Sequence, residues 1–115
     1  MAELKRLPAA FYQSANGREP VRDWLLNLDE RSRRIVGRDI ATAEYGWPLG
    51  MPLCRNLGGG LQEVRSTITD QRVARVVFVV HAGRMVLLHG FVKKTRKTPK
   101  PDLALARQRA KEIKS

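Results

Sequence analysis

The chain has 115 residues, of which 43% are hydrophobic, and it carries 22 lysines and arginines against 11 aspartates and glutamates. This length predicts one domain over residues 1–115 with a small core. Because the sequence has no long apolar run and no continuous apolar region near residue 1, we expect neither a transmembrane helix nor a secretory signal. The single cysteine, Cys54, excludes an intrachain disulfide framework, so we expect a reducing, cytoplasmic location.

The positive charge is concentrated in the second half of the chain. Residues 1–50 carry a net charge of +1, residues 51–100 carry +8 and residues 101–115 carry +2. Such asymmetry is typical of proteins that bind nucleic acid or another anionic surface. A basic domain with solvated charge is the alternative. Five cations lie within eight residues that contain no carboxylate: Lys93, Lys94, Arg96, Lys97 and Lys100.

The first half of the chain predicts a short strand and two helices. Residues 4–14 are ambiguous but fit a short strand, which Pro8 would keep at a sheet edge. Residues 19–27 have apolar side chains at helical spacing and predict a short amphipathic helix. Asp29 is suited to cap a second helix that runs to about Tyr45.

Residues 46–60 are rich in glycine and proline and predict a loop. The triple glycine at 58–60 is not followed by the Lys-Ser/Thr ending or the helix of a phosphate-binding loop. Flexibility or a close approach of the backbone is therefore the preferred interpretation of these glycines.

The second half predicts an antiparallel meander followed by a helix. The predicted strands are residues 61–67, 72–80 and 85–92, with a hairpin turn at 81–84. Residues 102–113 predict a closing helix that Asp102 caps. Its inner stripe is Leu103, Ala106, Ala110 and Ile113.

Together these elements predict an α+β fold. The sheet is expected to be an antiparallel three-strand meander, with the N-terminal segment as an additional edge strand. Two N-terminal helices and one C-terminal helix complete the order. We expect the helices to cover one face of this sheet and to leave the other face open and cationic.

Several segments resemble the RelE/HigB toxin superfamily, most closely its phage-derived, host-inhibition branch. The resemblance covers nearly the whole chain and is most specific over residues 87–99. The segments that carry it are residues 60–65 (GLQEVR), 75–78 (RVVF), 87–99 (LLHGFVKKTRKTP) and 101–106 (PDLALA), together with Gly17, Pro20 and Val21 of the early helix pair.

The resemblance implies a small RelE-like fold and the toxin of a type II toxin–antitoxin pair. Such toxins are basic ribonucleases that enter the ribosome and cut messenger RNA without a metal or another cofactor. The 2′-hydroxyl attacks the adjacent phosphate and gives a 2′,3′-cyclic phosphate or its hydrolysis product. The implied partners are mRNA, the ribosome and a helix-turn-helix antitoxin that forms a hetero-oligomer with the toxin.

The resemblance also suggests site residues. Arg75 and Arg65 match the family pattern, and an arginine fork suits the charge that builds up on a phosphate. His89 and Lys93 are further catalytic candidates, as a base or as a proton-transfer group. The expected RNA-binding residues are Lys94, Arg96, Lys97, Lys100 and Arg72.

The relative position of Arg75 and His89 depends on strand register. A regular hairpin centred on Ala82 and Gly83 pairs Arg75 with Gly90 and puts His89 on the opposite face of the sheet. A one-residue bulge reverses that assignment. Better-known relatives also use lysines on the first meander strand and a tyrosine near the C-terminus, which this sequence lacks, so the proton-transfer groups stay open.

Less specific interpretations compete with catalysis. Arg75 and Arg65 could be surface cations paired with Glu63. Trp24 and Trp47 are interpreted as core or partner contacts, and Cys54 as a small residue without a catalytic role. For the whole protein, the alternatives are a noncatalytic nucleic-acid-binding or host-takeover protein and a protein-interaction module with an acidic partner.

Overall fold

The computed structural model describes residues 4–93 and 97–114, which form an α+β fold, as predicted. Five strands form one mixed sheet of order β1-β5-β4-β3-β2. Strands β2 to β5 are antiparallel neighbours, but β1 pairs parallel with β5, so the prediction of an antiparallel sheet holds only for β2 to β5. The elements are β1 (Ala9–Phe11), α1 (Pro20–Asn27), α2 (Glu30–Gly46), β2 (Cys54–Gly58), β3 (Leu61–Thr67), β4 (Val73–His81), β5 (Arg84–Lys93) and α3 (Lys100–Lys114).

Helices α1 and α2 cover one face of the sheet with an apolar core. Asp29 caps α2 as predicted, because its carboxylate accepts a hydrogen bond from the Ser32 backbone N–H at 3.1 Å. Trp47 packs edge-on against the buried ring of Phe78, with ring centroids 5.5 Å apart. Trp24 packs against the same core, which confirms the structural interpretation of both tryptophans.

The prediction that all of residues 46–60 form a loop was wrong. Residues Cys54–Gly58 form β2, which pairs antiparallel with β3 and lies at the sheet edge. Its sequence, CRNLG, has neither β-branched residues nor a regular alternation, so the pairing with β3 decides its conformation. The glycines at 58–60 all have positive φ, which the turn between β2 and β3 requires.

The prediction that one sheet face is open was also wrong, because α3 packs on the face opposite α1 and α2. The predicted stripe of α3 contacts Val77, Val79 and Leu88. Arg109 fixes the helix further by donating a hydrogen bond to the Leu88 carbonyl at 2.7 Å. The central strand β4 is buried on both sides, which explains its continuous β-branched run.

Helix α3 begins at Lys100, two residues earlier than predicted. Asp102 therefore lies in the first turn of the helix and is not its cap, contrary to the prediction. Its carboxylate is directed at a histidine of β5, as described below.

A β-bulge at Leu88 sets which side chains of β5 face α3. The hairpin turns at Ala82 and Gly83, both at positive φ, and pairs His81 with Arg84. Phe78 then pairs with Leu87, but Val77 pairs with His89, so Leu88 is the extra residue. The bulged register is therefore the observed one. Beyond it Arg75 pairs with Phe91, which puts Arg75 and His89 on the same face.

Within the described ranges, no helix has the length and apolar character needed to cross a membrane.

Candidate functional site

Three arginines and one glutamate share the α3-facing side of the sheet at the end of the strands. Arg65 on β3 lies directly opposite Arg75 on β4, and Arg55 on β2 lies directly opposite Glu63 on β3. Since alternate residues of a strand point to the same face, these four side chains form one group. We refer to Arg55, Glu63, Arg65 and Arg75 as the arginine cluster.

Arg75 is fully buried, contrary to the interpretation of a surface cation. Within the described part of the chain, its three guanidinium nitrogens have no hydrogen-bond partner. The guanidinium carbon lies 5.9 Å from the centre of the Phe91 ring. Burial lowers the pKa of Arg75, Glu63 opposes this shift, and Arg65 and Arg55 add to it.

An unsatisfied buried guanidinium is costly, since buried charges in proteins are normally paired and hydrogen-bonded. Arg75 offers a planar donor fork of the kind that binds two oxygens of one phosphate or carboxylate. The chemistry that best fits this cluster is therefore the binding of an anion.

Glu63 is the one carboxylate of the cluster, and its side chain is also fully buried. Its Oε2 accepts a hydrogen bond from the Thr98 hydroxyl at 2.9 Å. Its Oε1 lies 3.8 Å from Arg65 Nε and makes no hydrogen bond within the described ranges. One carboxylate oxygen thus lies beside Arg65 without a hydrogen-bond donor among the described residues.

His89 is held by α3. Its Nε2 lies 2.6 Å from Asp102 Oδ1, and both side chains are largely shielded from solvent. The imidazole stacks on Phe91, with centroids 5.6 Å apart and an interplanar angle of 24°. Phe91 thus contacts both His89 and Arg75, and Asp102 fixes the orientation of the imidazole.

The other predicted site residues differ in where they lie relative to this cluster. Lys93 is exposed at the end of β5, on the same face as Arg75. Lys97 is exposed before α3, and Lys100 is exposed at its first residue. Lys94 and Arg96 lie outside the described residues.

Arg72 lies apart from the cluster. Its guanidinium donates hydrogen bonds to the Thr69 carbonyl at 3.2 Å and to the Thr69 hydroxyl at 3.0 Å. Hydrogen bonds from Ser32 lower the pKa of Asp29, and Arg72 adds a smaller effect in the same direction. Arg72 is therefore directed toward the start of α2.

Sequence reasoning missed two members of the cluster. Arg55 was not considered because its segment was predicted to be a loop, and only the pairing of β2 with β3 places it opposite Glu63. Glu63 was considered only as a counter-ion. A usable signal was present, since residues 51–69 contain no other acidic side chain in a strongly basic half of the chain.

Cys54 is buried on the other side of the sheet, and burial raises its pKa to about 11. Such a thiol is a poor nucleophile, in agreement with the absence of a predicted role. Among residues 4–93 and 97–114, histidine, cysteine and carboxylate side chains do not gather into a group that would hold a metal ion.

The fold and the cluster define a small α+β protein with a buried cationic site on one face of a mixed sheet. The sequence profile of the phage-derived protein Gp49-like family (DUF891) matches residues 23–111, so the chain belongs to this family. The family is associated with RelE-like toxins of toxin–antitoxin systems, which agrees with the broader part of the resemblance. Among curated proteins, none matches the chain significantly.

Proposed function

We propose that this protein is the toxin of a type II toxin–antitoxin pair and that it cleaves RNA at the arginine cluster without a metal. The observation that carries the proposal is Arg75, a fully buried guanidinium with no hydrogen-bond partner in the described residues. A phosphate of RNA would supply the missing acceptor oxygens. Family membership supports a toxin role for the same chain.

In this proposal, Arg75 and Arg65 bind the two non-bridging oxygens of the scissile phosphate. Both guanidiniums are opposite each other on neighbouring strands, so one phosphate can contact both. Negative charge increases on these oxygens as phosphorus becomes pentacoordinate. Fixed cations in a site of low dielectric stabilise that charge more than water does.

Glu63 Oε1 takes the proton from the 2′-hydroxyl, and the 2′-oxygen forms a bond to phosphorus. The bond from phosphorus to the 5′-oxygen breaks, giving a 2′,3′-cyclic phosphate and a 5′-hydroxyl. The leaving oxygen needs a proton, and two side chains on this face can donate it. His89 is oriented by Asp102, whereas Lys93 is exposed at the strand end.

The substrate must open part of the structure to reach Arg75. The Thr98 hydroxyl holds the other oxygen of Glu63, so Thr98 lies beside the carboxylate that the RNA must reach. Lys97 and Lys100 flank Thr98 and attract the RNA backbone to this opening. We further propose ribosome-bound mRNA as the substrate, a cytoplasmic location and a helix-turn-helix antitoxin as the protein partner.

The test is cleavage of RNA with and without ribosomes, with analysis of the new termini. We expect Arg75→Met to reduce cleavage by about 10²–10³-fold, the loss that follows removal of one preorganised charge-stabilising donor. Arg22→Met is the matched control, because Arg22 is an exposed arginine on α1. Termini other than a 2′,3′-cyclic phosphate or its hydrolysis product, or full cleavage by Arg75→Met, would refute the proposal.

A second set of variants assigns the proton transfers. Glu63→Gln should abolish cleavage but retain binding of RNA, since the cations remain. A pH–rate profile then separates the two proton donors. If His89 donates the proton, His89→Asn removes the alkaline limb of the profile, and if Lys93 donates it, Lys93→Met removes that limb instead.

The complete burial of Arg75 also favours a second candidate, a noncatalytic nucleic-acid-binding protein. In that case Arg75 serves the fold, and the exposed cations around α3 bind the backbone. The protein would then bind RNA with a steep salt dependence and leave the strand intact. Detection of cyclic-phosphate termini that depend on Arg75 would exclude this candidate.

A further inference from the structure

A shallow groove runs along α2, on the side where the helix meets the segment before β2. Its part nearest the sheet encloses about 470 Å³ and ends at Arg65 and Val73. A second depression continues it along the helix past Ile35. We refer to this surface as the α2 groove, and its defining residues are Arg31, Arg34, Ile35, Arg38, Met51 and Leu53.

The α2 groove has an aliphatic floor and a cationic rim. Ile35 and Leu53 pack partly against the core, and Met51 is 61% exposed. Arg31, Arg34 and Arg38 are exposed on α2, and their spacing of three and then four residues puts them on one side of the helix. An exposed apolar strip with a charged rim is typical of a protein-interaction surface.

The lining of the groove fits a protein partner better than RNA. No aromatic ring lies among its lining residues, so it offers no platform on which bases could stack. Glu30 and Asp39 line it as well, and Glu30 is paired with Arg34 at 2.6 Å. Met51 supplies a deformable contact of the kind used to bind apolar side chains of a partner.

We propose that the α2 groove docks an acidic, amphipathic segment of a partner protein. Apolar side chains of that segment fill the floor formed by Ile35, Met51 and Leu53. Its carboxylates bind Arg31 and Arg38 of the rim, and this charge complementarity also guides the encounter. The partner is thus recognised on a surface that does not include Arg75.

The groove also reaches the arginine cluster through Arg65. This side chain lines the end of the groove and lies 3.8 Å from the Glu63 carboxylate. A partner carboxylate at the end of the groove therefore draws Arg65 away from Glu63 and from an incoming phosphate. This consequence rests on the proposed function, because it makes the docked partner an inhibitor of RNA cleavage.

Docking is tested without reference to cleavage. Full-length Arg75→Met protein is titrated with a labelled synthetic helical peptide that carries leucines on one side and glutamates on the other. We expect Met51→Asp and Arg38→Glu each to weaken binding at least ~10-fold, or about 1.4 kcal/mol. Arg22→Glu, which reverses an exposed charge on α1, should leave the affinity unchanged.

Two outcomes would overturn the docking proposal. One is absence of peptide binding, or binding that neither Met51→Asp nor Arg38→Glu affects. The other is binding of a uridine oligonucleotide that Arg38→Glu weakens and that the peptide does not displace. This result would make the groove an RNA site. Met51 is exposed in a connecting segment, so its substitution does not endanger the fold.

The inhibitory part is tested with the wild-type protein and an RNA substrate. Saturating peptide should reduce cleavage, and Met51→Asp should restore it without altering the uninhibited rate. Cleavage that continues while the peptide is bound would refute the link through Arg65 and leave docking intact. If the wild-type protein cleaves no RNA, the proposed function fails, whereas the titration still decides docking.

Discussion

The two faces of the sheet are built on different principles although the same strands supply both. The face toward α1 and α2 is apolar and tightly packed, with Val76 and Phe78 of β4 fully buried. The face toward α3 is also apolar at Val77 and Val79. The arginine cluster lies beside these residues, toward the start of β4. One face therefore stabilises the fold, whereas the end of the other concentrates buried charge, which costs stability unless it is paired.

The largest expected effect is on the apolar face. Phe78→Ala should reduce the free energy of unfolding by about 3–5 kcal/mol, because it removes a fully buried ring that Trp47 contacts edge-on. Denaturant titration measures this change. Val80→Ala, on the same strand but 40% exposed, is the control and should change stability by less than about 1 kcal/mol. Equal losses of unfolding free energy in the two variants would contradict the statement that the apolar face stabilises the fold.

A smaller loss is expected where the backbone of β5 approaches α1. A Cβ atom at Gly90 would lie 2.4 Å from Cε3 of Trp24, so Gly90→Ala should cost about 1–3 kcal/mol through overpacking. Thermal unfolding provides the measurement. Gly37→Ala is the matched control, since nothing lies within 4 Å of its added Cβ, and it should be neutral or stabilising.

On the charged face, loss of a buried side chain should not weaken the fold. Arg75→Met replaces an unsatisfied guanidinium by a shorter, apolar side chain, so stability should stay constant or rise by about 1–3 kcal/mol. Comparison of denaturation midpoints checks this expectation. A loss of more than about 1 kcal/mol would show that Arg75 stabilises the fold and would favour the noncatalytic candidate.

The smallest effect concerns the thiol of Cys54 on the apolar face. Its pKa of about 11 means that the folded protein keeps the thiol protonated, whereas the unfolded chain ionises near the ordinary value of 9.0. The contribution of the protonated thiol to the free energy of unfolding is fully present below pH 9 and is lost as the pH rises toward 11. Alkylation should therefore be slow in the native protein and fast in denaturant.

The control for this experiment is Thr67→Cys in a Cys54→Ala background, which places a thiol at an exposed position of β3. That thiol should react at similar rates in the native and unfolded states. Rapid alkylation of native Cys54 would show that the apolar face is open to solvent.

The parts of the fold that depend on local chemistry could be predicted from the sequence. Strand β3 has the predicted bounds, Asp29 caps α2, and the hairpin turns at Ala82 and Gly83. Strand β2 could not be predicted, because its conformation depends on pairing with β3 and not on its own residue preferences. The packing of α3 on the second face of the sheet was not predicted for a related reason. A continuous apolar run in a strand does not show whether helices cover one face of the sheet or both.

The candidate site could be predicted only in part. Arg65 and Arg75 were identified and lie opposite each other, but the complete burial of Arg75 was not foreseen. Burial of an arginine depends on tertiary packing, and a strand pattern contains no information about it. Arg55 joins the cluster only through the sheet, and the bulge that brings His89 to the same face is a property of pairing between strands.

The extra residue at Leu88 divides β5 into two segments of opposite phase. Without it, His89 and Phe91 would point into the apolar layer beneath α1, where an imidazole would lack the Asp102 carboxylate. One inserted residue thus lets a single strand serve the hydrophobic layer first and the charged layer afterwards. A sheet of five strands has few strands to divide between its layers. Because of the change of phase, β5 contributes to both the apolar layer and the charged layer.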